Sequence, residues 1–375
     1  MQQLTPDGNP AGVSLPTNEL LRHFRVRLNV YKTAPKDWRL VFYDDQIQQP
    51  LQIIGPKDFP AGNTAVWSRR FEGGSGRVIL EARGVNPSPF LRINGAILVA
   101  QQPQVTYYSV QNRASIKWQC LLCPRTQDQQ DICSSEITKC TDTPIRTRRL
   151  GESVGMMIVF STNKAWTCTG FLIAPDLFLT NWHCGGAPET SAFWENDVLR
   201  NLVIDFSWDG DQLSNEYGWS ETPIFGGGPN VLFDKDRDYA IFRVRPMMQS
   251  IGAPPIARIK PGSSLQEGMA IRIIHHPLGR VKYLTQRDCR IVASTYPSWF
   301  EKKSDIDFLH ECDTEGGSSG APVFDEEGFV VGVHHSGHTV NSEGVCDRKN
   351  KGVRIGAIIE HLPATLKKEV LDWQQ

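Results

Sequence analysis

The sequence predicts an all-β protein with a helical segment at its C-terminal end, and three observations predict it. Short runs with apolar residues at every second position recur along the chain, as in Phe24–Tyr31, and this period is that of a strand with one buried face. Clusters of glycine, proline, asparagine and aspartate separate these runs. Helical character is expected over residues 357–373, where Pro363 interrupts it.

Length and composition limit the number of domains and the class of partner. A chain of 375 residues is long for one hydrophobic core, so two domains are expected. With a net charge of −1 and 22% charged residues, the chain offers no electrostatic basis for binding nucleic acid or an anionic membrane surface. No apolar run approaches the length of a transmembrane helix. Nucleic acid and membranes are therefore not expected as partners.

The nine cysteines bear on the cellular compartment. They occupy positions 120, 123, 133, 140, 168, 184, 289, 312 and 346, and none lies in the first 119 residues. This usage favours disulfides, and with them a secreted or periplasmic protein. Residues 1–8 have neither the basic region nor the apolar region of a signal peptide, and this favours the cytoplasm as the alternative.

Residues 1–19 are expected to form a flexible tail, and residues 20–115 a β-sandwich-like domain. About seven strands with turn signals between them occupy the second range, a density typical of a sandwich. The predicted strands are 24–31, 38–43, 51–54, 64–71, 77–82, 90–99 and 105–110. Since no catalytic constellation is found there, we expect a structural module, or one that binds a partner or targets the protein.

Residues 116–149 are interpreted as a cysteine-containing linker. Cys120, Cys123, Cys133 and Cys140 have two readings, a zinc site or disulfides and free thiols. The second is favoured because the later pair is not a tight zinc knuckle. The basic run 146–149 is expected to be an exposed charged linker, and a site of proteolytic nicking is the alternative.

A serine loop in residues 150–375 has the composition that nucleophilic catalysis needs. In Gly317-Ser318-Ser319-Gly320, small residues allow a tight turn that can direct two N–H groups at one developing oxyanion. A serine in such a turn is a nucleophile only if a base lies nearby, so the loop requires a histidine and a carboxylate elsewhere in the chain.

Two further positions meet this requirement. His183 stands where a predicted strand gives way to a loop, and a disulfide from Cys168 to Cys184 would fix that loop to its own strand. Asp238 directly precedes a predicted strand. The pair His275-His276 lacks a third ligand at a recognisable spacing, so it is interpreted as a turn and no metal site is expected.

These segments follow one another in the order His, Asp, Ser, as 179–184, 238–241 and 317–322. This order resembles the trypsin/chymotrypsin family of serine endopeptidases. The likeness is closest to the bacterial trypsin-like branch that includes lysyl and glutamyl endopeptidases, through residues 274–279, 313–320 and 331–337. The resemblance covers about residues 150–375, which we therefore expect to form one serine protease domain.

The resemblance implies a chymotrypsin-like double β-barrel with the active site between the barrels and a C-terminal helix. It also implies roles. Ser319 would attack the peptide carbonyl, His183 would take its proton, and Asp238 would hold the imidazole in the right tautomer. The N–H groups of Gly317 and Ser319 would form the oxyanion hole. Protein or peptide substrates are expected, with no cofactor.

The resemblance further implies a preference for Arg or Lys before the cleaved bond. Asp313, six residues before the nucleophile, would form the base of the specificity pocket, and Gly337 and Gly352 would keep it open. A buried carboxylate favours a cationic side chain. His334 favours the alternative, because glutamyl endopeptidases bind an acidic side chain with a histidine at that place.

Two departures from the family are expected to matter. Trypsin has an aspartate before the nucleophile that pairs with the new N-terminus on activation, whereas this chain has Ser318, so trypsin-style activation at Arg149 is not expected. Cys312 is displaced from the usual position, and a disulfide to Cys346 or to Cys289 is expected.

Two alternative functions are considered. One is a catalytically silent binding protein with a protease fold, and the other is a zinc-dependent enzyme.

Overall fold

The computed structural model describes the chain in segments. They are residues 13–14, 21–30, 37–44, 50–58, 65–68, 71–72, 76–82, 91–100, 104–109, 113–117, 137–139, 144–160, 165–186, 193–194, 202–206, 224–227, 232–246, 254–260, 262, 264–298, 305–337, 339–340, 346–347 and 349–374. The four cysteines of the expected linker and most of the expected N-terminal tail lie outside these segments.

Among the described residues, ten strands begin before the expected linker, and the last of them extends into its first two residues. They are β1 (Val13–Ser14), β2 (Leu21–Val30), β3 (Trp38–Asp44), β4 (Pro50–Ile54), β5 (Ala65–Trp67), β6 (Phe71–Glu72), β7 (Gly76–Ala82), β8 (Leu91–Ala100), β9 (Gln104–Ser109) and β10 (Arg113–Lys117), with a 3-10 turn at Pro56–Asp58. One antiparallel sheet has the order β1-β7-β3-β4, and the other has β10-β9-β8-β2-β5 with β6 paired to β2. The seven predicted strands are all present, and the predicted strand 64–71 is divided into β5 and β6.

Aromatic side chains join these two sheets. Phe24 in β2 stacks on Phe71 in β6 with ring centroids 4.5 Å apart, and Phe71 meets Phe42 of the other sheet at 6.0 Å. All three rings are fully buried, as are Val26 and Leu28, which share a face of β2 with Phe24. The alternation in the sequence therefore corresponds to one buried face, and the architecture is a β-sandwich.

Two ordered elements lie in the C-terminal part of the expected linker, β11 (Ile137–Lys139) and α1 (Ile145–Gly151). The basic run 146–149 lies within α1, where Arg146 and Arg149 are exposed. Pro144 precedes the helix, and its carbonyl accepts hydrogen bonds from the N–H groups of Thr147 and Arg148. A proline can stand at a helix start because the first N–H groups have no intrahelical partner.

The next seven strands form a closed six-stranded barrel with one additional strand. They are β12 (Val154–Phe160), β13 (Ala165–Ala174), β14 (Leu177–Thr180), β15 (Leu202–Asp205), β16 (Ile224–Gly227), β17 (Leu232–Asp234) and β18 (Tyr239–Pro246). The antiparallel order is β14-β13-β12-β15-β16-β18, and pairing of β14 with β18 closes the ring. β17 pairs with the first part of β18. The sequence analysis did not predict β15, β16 or β17.

A second barrel follows. Its elements are β19 (Arg272–His275), β20 (Tyr283–Thr285), β21 (Ile291–Tyr296), β22 (Asp307–His310), β23 (Pro322–Phe324), β24 (Val330–Ser336), β25 (Thr339–Val340), β26 (Cys346–Asp347) and β27 (Asn350–Arg354). The order is β20-β19-β23-β24-β27-β22-β21, and a bridge between Ala270 and Arg290 joins β21 back to β19. β11 pairs with β20, so residues 137–139 belong to this sheet. β25 and β26 form a separate hairpin.

Two helices, α2 (Ile355–His361) and α3 (Ala364–Asp372), complete the fold. The break falls at Leu362 and Pro363, as the sequence predicted, because proline has no N–H to continue the ladder. The Arg243 guanidinium of β18 ties α3 to the first barrel through two hydrogen bonds to Glu369, of 2.9 and 3.0 Å. No helix among the described residues is both long and apolar enough to cross a membrane.

Two disulfides are present in the described part of the chain. Cys168 and Cys184 are bonded, as expected, with an S–S distance of 2.02 Å. Cys289 and Cys312 are bonded at 2.04 Å, one of the two pairings left open for Cys312. The second bridge joins the loop before β21 to the residues that follow β22.

Gly332 in β24 is predicted to tolerate no methyl group. A Cβ there would lie 2.3 Å from Cε1 of Phe308, whose ring is fully buried. Gly332→Ala should therefore lower the free energy of unfolding by about 1–3 kcal/mol, the usual cost of overpacking a core. Chemical denaturation measures the loss.

Gly356→Ala in α2 is the matched control. No atom lies within 4 Å of a Cβ built at this position. Alanine is favoured over glycine in a helix by up to about 1 kcal/mol, so this variant should be as stable as the natural chain or more so. Equal stability of the two variants would show that the Phe308 ring does not exclude a methyl group from Gly332.

Candidate active site

His183 and Asp238 are brought together by the pairing of β14 with β18. Thr180, the last residue of β14, pairs with Ala240 of β18. His183 lies three positions after β14 and Asp238 lies one position before β18, so the pairing brings these two residues close together. Asp238 Oδ2 lies 2.7 Å from His183 Nδ1, and Asp238 Oδ1 accepts a 2.9 Å bond from the His183 backbone N–H. The carboxylate is 1% exposed and the imidazole 25% exposed, so one edge of the ring faces outward.

Asp238 is held in an uncommon backbone conformation. Its φ of +46° lies in the left-handed region, which costs free energy for a residue with a side chain. The Asn181 side chain donates a 2.8 Å hydrogen bond to the Asp238 carbonyl and thereby fixes this turn against the histidine loop. The strain therefore coincides with the point where the carboxylate is directed at His183.

A second histidine contacts the same carboxylate, and the sequence analysis missed it. His335 Nδ1 in β24 lies 3.2 Å from Asp238 Oδ2, and His335 Nε2 lies 3.2 Å from Asp307 Oδ2 in β22. All three side chains are 1% exposed. Burial alone would lower the pKa of His335, but its contacts with both carboxylates outweigh burial and raise the pKa to about 9. His335 is therefore an imidazolium between two carboxylates at neutral pH.

This arrangement keeps Asp238 ionised. Burial alone would raise the pKa of the carboxyl group, but the charges and hydrogen bonds of His183 and His335 outweigh burial and lower it. His335 comes from the second barrel, whereas His183 and Asp238 come from the first. The sequence did not predict roles for His335 and Asp307, because their contact is visible only in the folded chain.

Ser319 lies on a loop that forms hydrogen bonds with both barrels. We define the nucleophile loop as residues 313–320. The Ser319 carbonyl accepts a 2.8 Å bond from the N–H of Thr169 in the first barrel, and the Gly320 N–H donates a 2.8 Å bond to the carbonyl of His334 in the second. Within the described residues, Ser319 Oγ makes no hydrogen bond.

Glycine is required at two points of the nucleophile loop. Gly317 has φ +95° and Gly320 has φ +86°, both in the left-handed region. A Cβ on Gly320 would lie 2.1 Å from the Thr169 carbonyl oxygen, and one on Gly317 would lie 2.7 Å from the His276 carbonyl oxygen. The small residues therefore let the loop approach the neighbouring backbone closely, as expected from the sequence.

The Cys168–Cys184 disulfide lies where the histidine and the serine loop meet. A ring nitrogen of His183 lies within 4.8 Å of both sulfur atoms, and Cys184 Sγ is 3.9 Å from the Ser319 carbonyl oxygen. These three residues form a group with metal-ligand spacing, but disulfide sulfurs are not the thiolates that bind metals. The disulfide is therefore a structural contact beneath the site.

The side chains of His275 and His276 do not face a common point. His275 Nδ1 lies 2.7 Å from Ser318 Oγ, whereas His276 Nδ1 lies 3.1 Å from the carbonyl oxygen of Arg280. They are followed by a 3-10 turn at Pro277–Gly279. His275 is thus the last residue of β19 and His276 directly precedes the turn, and the two rings have different partners.

Gly337 and Gly352, which are expected to keep a specificity pocket open, pack closely against neighbouring residues. A Cβ on Gly352 would lie 2.6 Å from the Phe308 ring, and one on Gly337 would lie 1.8 Å from Asn350 Oδ1. Their lack of a side chain accommodates neighbours on β22 and β27. Their expected role in keeping a specificity pocket open stays a prediction.

The two residues expected to bind the substrate side chain differ in environment. Asp313 is half-buried, and its carbonyl accepts a 3.0 Å bond from Thr285. His334 is 3% exposed, and its Nδ1 lies 3.1 Å from Nε2 of His310. Burial, together with the neighbouring histidines, lowers the pKa of His334 well below its ordinary value, so its ring is neutral.

Comparisons with known proteins show which proteins this chain is similar to. Residues 168–333 match the profile of the trypsin-like peptidase domain. The mouse protein named serine protease FAM111A is 24% identical over 262 residues, 59% of this chain and 40% of that protein. The uncharacterized protein y4fB of Sinorhizobium fredii is 31% identical over 179 residues, 45% of this chain and 25% of that protein. The chain thus spans less than half the length of these curated relatives.

Solved protease structures are also similar. The active form of the Rv3671c protease from M. tuberculosis is 18% identical, with a TM-score of 0.42 over 64% of this chain and 92% of that chain. The narrower likeness to bacterial lysyl and glutamyl endopeptidases is not tested by these matches. Residues 168–333 are thus similar to trypsin-like peptidase domains, and they contain His183, Asp238 and Ser319.

The His335 imidazolium predicts how stability depends on pH. Its folded-state pKa of about 9 lies above the ordinary value of 6.5, so the folded chain holds one more proton between these values. The stabilisation is present in full below about pH 6.5 and is lost as the pH rises through about 9, by on the order of 3 kcal/mol. Urea denaturation at several pH values measures this slope.

His335→Gln should flatten the slope, because glutamine carries no titrating proton. His310→Gln is the matched control for loss of a buried histidine of the same barrel, because burial lowers the pKa of His310 to about 3 and its loss should leave the slope between pH 6.5 and 9 unchanged. A slope that is the same in the natural chain and in His335→Gln would show that the charge on His335 does not stabilise the fold.

Proposed function

We propose that this protein is a serine endopeptidase that hydrolyses peptide bonds through Ser319, His183 and Asp238. The observation that carries the proposal is the paired contact of Asp238 with the ring and backbone of His183, next to a loop that presents Ser319. A match to the trypsin-like peptidase domain supports it. An ordered base and carboxylate beside an accessible hydroxyl are what nucleophilic acyl transfer requires.

The geometry supports the following sequence of steps. Asp238 accepts from Nδ1–H of His183 and leaves Nε2 free of a proton, so that nitrogen can take the proton of Ser319 Oγ. The alkoxide attacks the carbonyl carbon, and the charge on the carbonyl oxygen is held by the N–H groups of Gly317 and Ser319. His183 then protonates the leaving amine, and a water molecule hydrolyses the ester with the same base.

Two features prepare the site for this chemistry before substrate binds. His335 and the His183 backbone N–H occupy the two carboxylate oxygens of Asp238, so the carboxylate cannot rotate away from the ring. Bonds from Thr169 to the Gly317 and Ser319 carbonyls hold the nucleophile loop from the side of the first barrel. Preorganised groups stabilise developing charge without reorganisation at the moment of reaction.

We further propose cleavage after Arg or Lys. Asp313 supplies a carboxylate, and Asn350 Oδ1 and Thr314 Oγ1 lie together beside Gly337. The amide and hydroxyl oxygens can accept hydrogen bonds from a cationic side chain, and the carboxylate offers it the opposite charge. The neutral ring of His334, which contacts His310, does not offer the positive charge that an acidic substrate requires.

The proposed compartment is an oxidising one, so the protein is proposed to be secreted or periplasmic. The two disulfides support this, since such bonds persist where thiols are not kept reduced. Mass spectrometry of the natural protein without reduction tests it, and free thiols at the four cysteines would favour the cytoplasm.

Ser319→Ala is predicted to abolish covalent labelling by a fluorophosphonate and to lower kcat at least about 10³-fold, because the nucleophile is lost. Gel fluorescence after labelling measures the first effect and a peptide assay the second. Ser264→Ala, at an exposed serine, is the matched control and should label as the natural chain does.

Absence of labelling in the natural chain would contradict the enzyme proposal. It would leave the binding protein with a silent protease fold as the better account of the same geometry.

Asp313→Asn is predicted to lower kcat/KM for Arg and Lys peptides by about 10²-fold or more, since the substrate charge would lose its opposite charge. A peptide library digested by the natural chain, with the residue before each cut identified, measures the preference directly. Cuts mainly after Glu would overturn the pocket assignment and give the specificity role to His334. Glu267→Gln, at an exposed carboxylate, is the matched control.

A further inference from the structure

The residue before the nucleophile is part of a buried chain of hydrogen bonds. Ser318 is fully buried, and its Oγ lies 2.7 Å from His275 Nδ1 and 3.1 Å from the Glu315 backbone nitrogen. His275 Nε2 lies 3.2 Å from Thr285 Oγ1, which lies 3.0 Å from the Asp313 carbonyl oxygen. This series of hydrogen bonds thus begins in the nucleophile loop at Ser318, passes through His275 and Thr285, and ends in the same loop at Asp313.

The direction of every bond in this chain can be assigned. The Asp313 carbonyl can only accept, so the Thr285 hydroxyl donates to it and accepts from His275 Nε2–H. A neutral imidazole has one N–H, so its Nδ1 is an acceptor and the Ser318 hydroxyl donates to it. The Ser318 oxygen is then free to accept from the Glu315 N–H. All four bonds form with one tautomer of His275, and none is left without a donor.

His275 is suited to this role because it is uncharged. It is fully buried, and burial, with smaller effects from Arg280 and His310, lowers its pKa to about 3. A protonated ring would carry N–H groups at both positions and could not accept from Ser318. The hydrogen bonds through His275 therefore keep the same donors and acceptors across the neutral pH range.

The same hairpin supports the nucleophile loop at further points. β19 and β20 are antiparallel neighbours, and we call residues 272–285 the β19–β20 hairpin. The Leu278 N–H at its turn donates a 2.6 Å bond to the Gly316 carbonyl, and Arg280 forms an ion pair with Glu315. Four residues of the nucleophile loop, at positions 313, 315, 316 and 318, are therefore bonded to one rigid element.

We propose that His275 is a positioning residue for the oxyanion hole, and that the β19–β20 hairpin holds the nucleophile loop in its working conformation in the intact chain. The proposal rests on the proposed function. A charged N-terminus is not needed to order this loop, because Ser318 is already satisfied by a neutral partner inside the barrel. Cleavage near Arg149 is accordingly not required for activity.

Variants of the full chain test the first part. His275→Phe and Thr285→Val each interrupt the series of hydrogen bonds. Each should lower kcat by roughly 10–100-fold with KM changed less than about twofold, since loss or misplacement of an oxyanion donor costs about 10²-fold. Thr285→Ser keeps the hydroxyl and should recover most of the activity. Thr295→Val, at an exposed threonine of β21, is the matched control and should leave kcat unchanged.

A transition-state readout separates positioning from loss of structure. A peptide trifluoromethyl ketone places a negatively charged oxygen in the oxyanion hole, so its inhibition constant should rise in His275→Phe by the same factor by which kcat/KM falls. His275→Asn, which keeps an acceptor near Ser318, should show a smaller change in both. If His275→Phe binds this inhibitor and turns over substrate as the natural chain does, the proposal is overturned.

Fluorophosphonate labelling of the intact chain tests the second part and distinguishes the two proposals. Labelling of the uncleaved Arg149→Gln chain at the natural rate supports the hairpin proposal. Labelling that begins only after proteolysis near residue 149 would overturn it while leaving the serine endopeptidase in place. Labelling in neither form would contradict the proposed function itself.

Discussion

Asp238 carries a negative charge inside the protein, and much of the site follows from the need to satisfy that charge. A buried carboxylate is tolerated only where donors and an opposite charge surround it. The donors are the His183 backbone N–H and ring Nδ1–H from the same barrel, and the His335 imidazolium from the other. The carboxylate thus joins the barrels as well as orienting the base. Asp307 completes the group by facing the far nitrogen of His335.

Fluorophosphonate labelling would test Ser319 directly. The pairing of His183 with Asp238 could be predicted from the sequence, because local patterns carried the information. Strand ends follow from an alternation of period two, and the three motifs stand at such ends. His335 could not be predicted, since its role depends on Asp307, which reaches it only through the pairing of β22, β27 and β24. β15 and β16 were missed because they lie in a loop-rich range without clear alternation. The Phe308 ring beside Gly352 could not be predicted either, because Phe308 is distant from it in sequence.

Histidines in the second barrel show why residue type alone does not define a role. His275 and His310 are buried away from carboxylates, and burial lowers the pKa of each to about 3. His335 is equally buried, but two carboxylates face it and its pKa is raised to about 9. Neutral rings can accept hydrogen bonds and so transmit position, whereas the charged ring anchors an anion. The same side chain thus provides both kinds of support within one barrel.

The main hydrophobic cluster is continuous across the protease-like half of the chain. It includes Val154 and Phe171 of the first barrel, Ile274 and Val330 of the second, and Ile358 and Val370 of the helices. If either barrel unfolded alone, the apolar surface that the other barrel contributes to this cluster would become exposed. The two barrels are therefore expected to unfold in one cooperative transition. Partial opening that separates His183 from Ser319 is therefore disfavoured. The contacts between His183, Asp238 and His335 are therefore expected to be lost together with the fold, in one step.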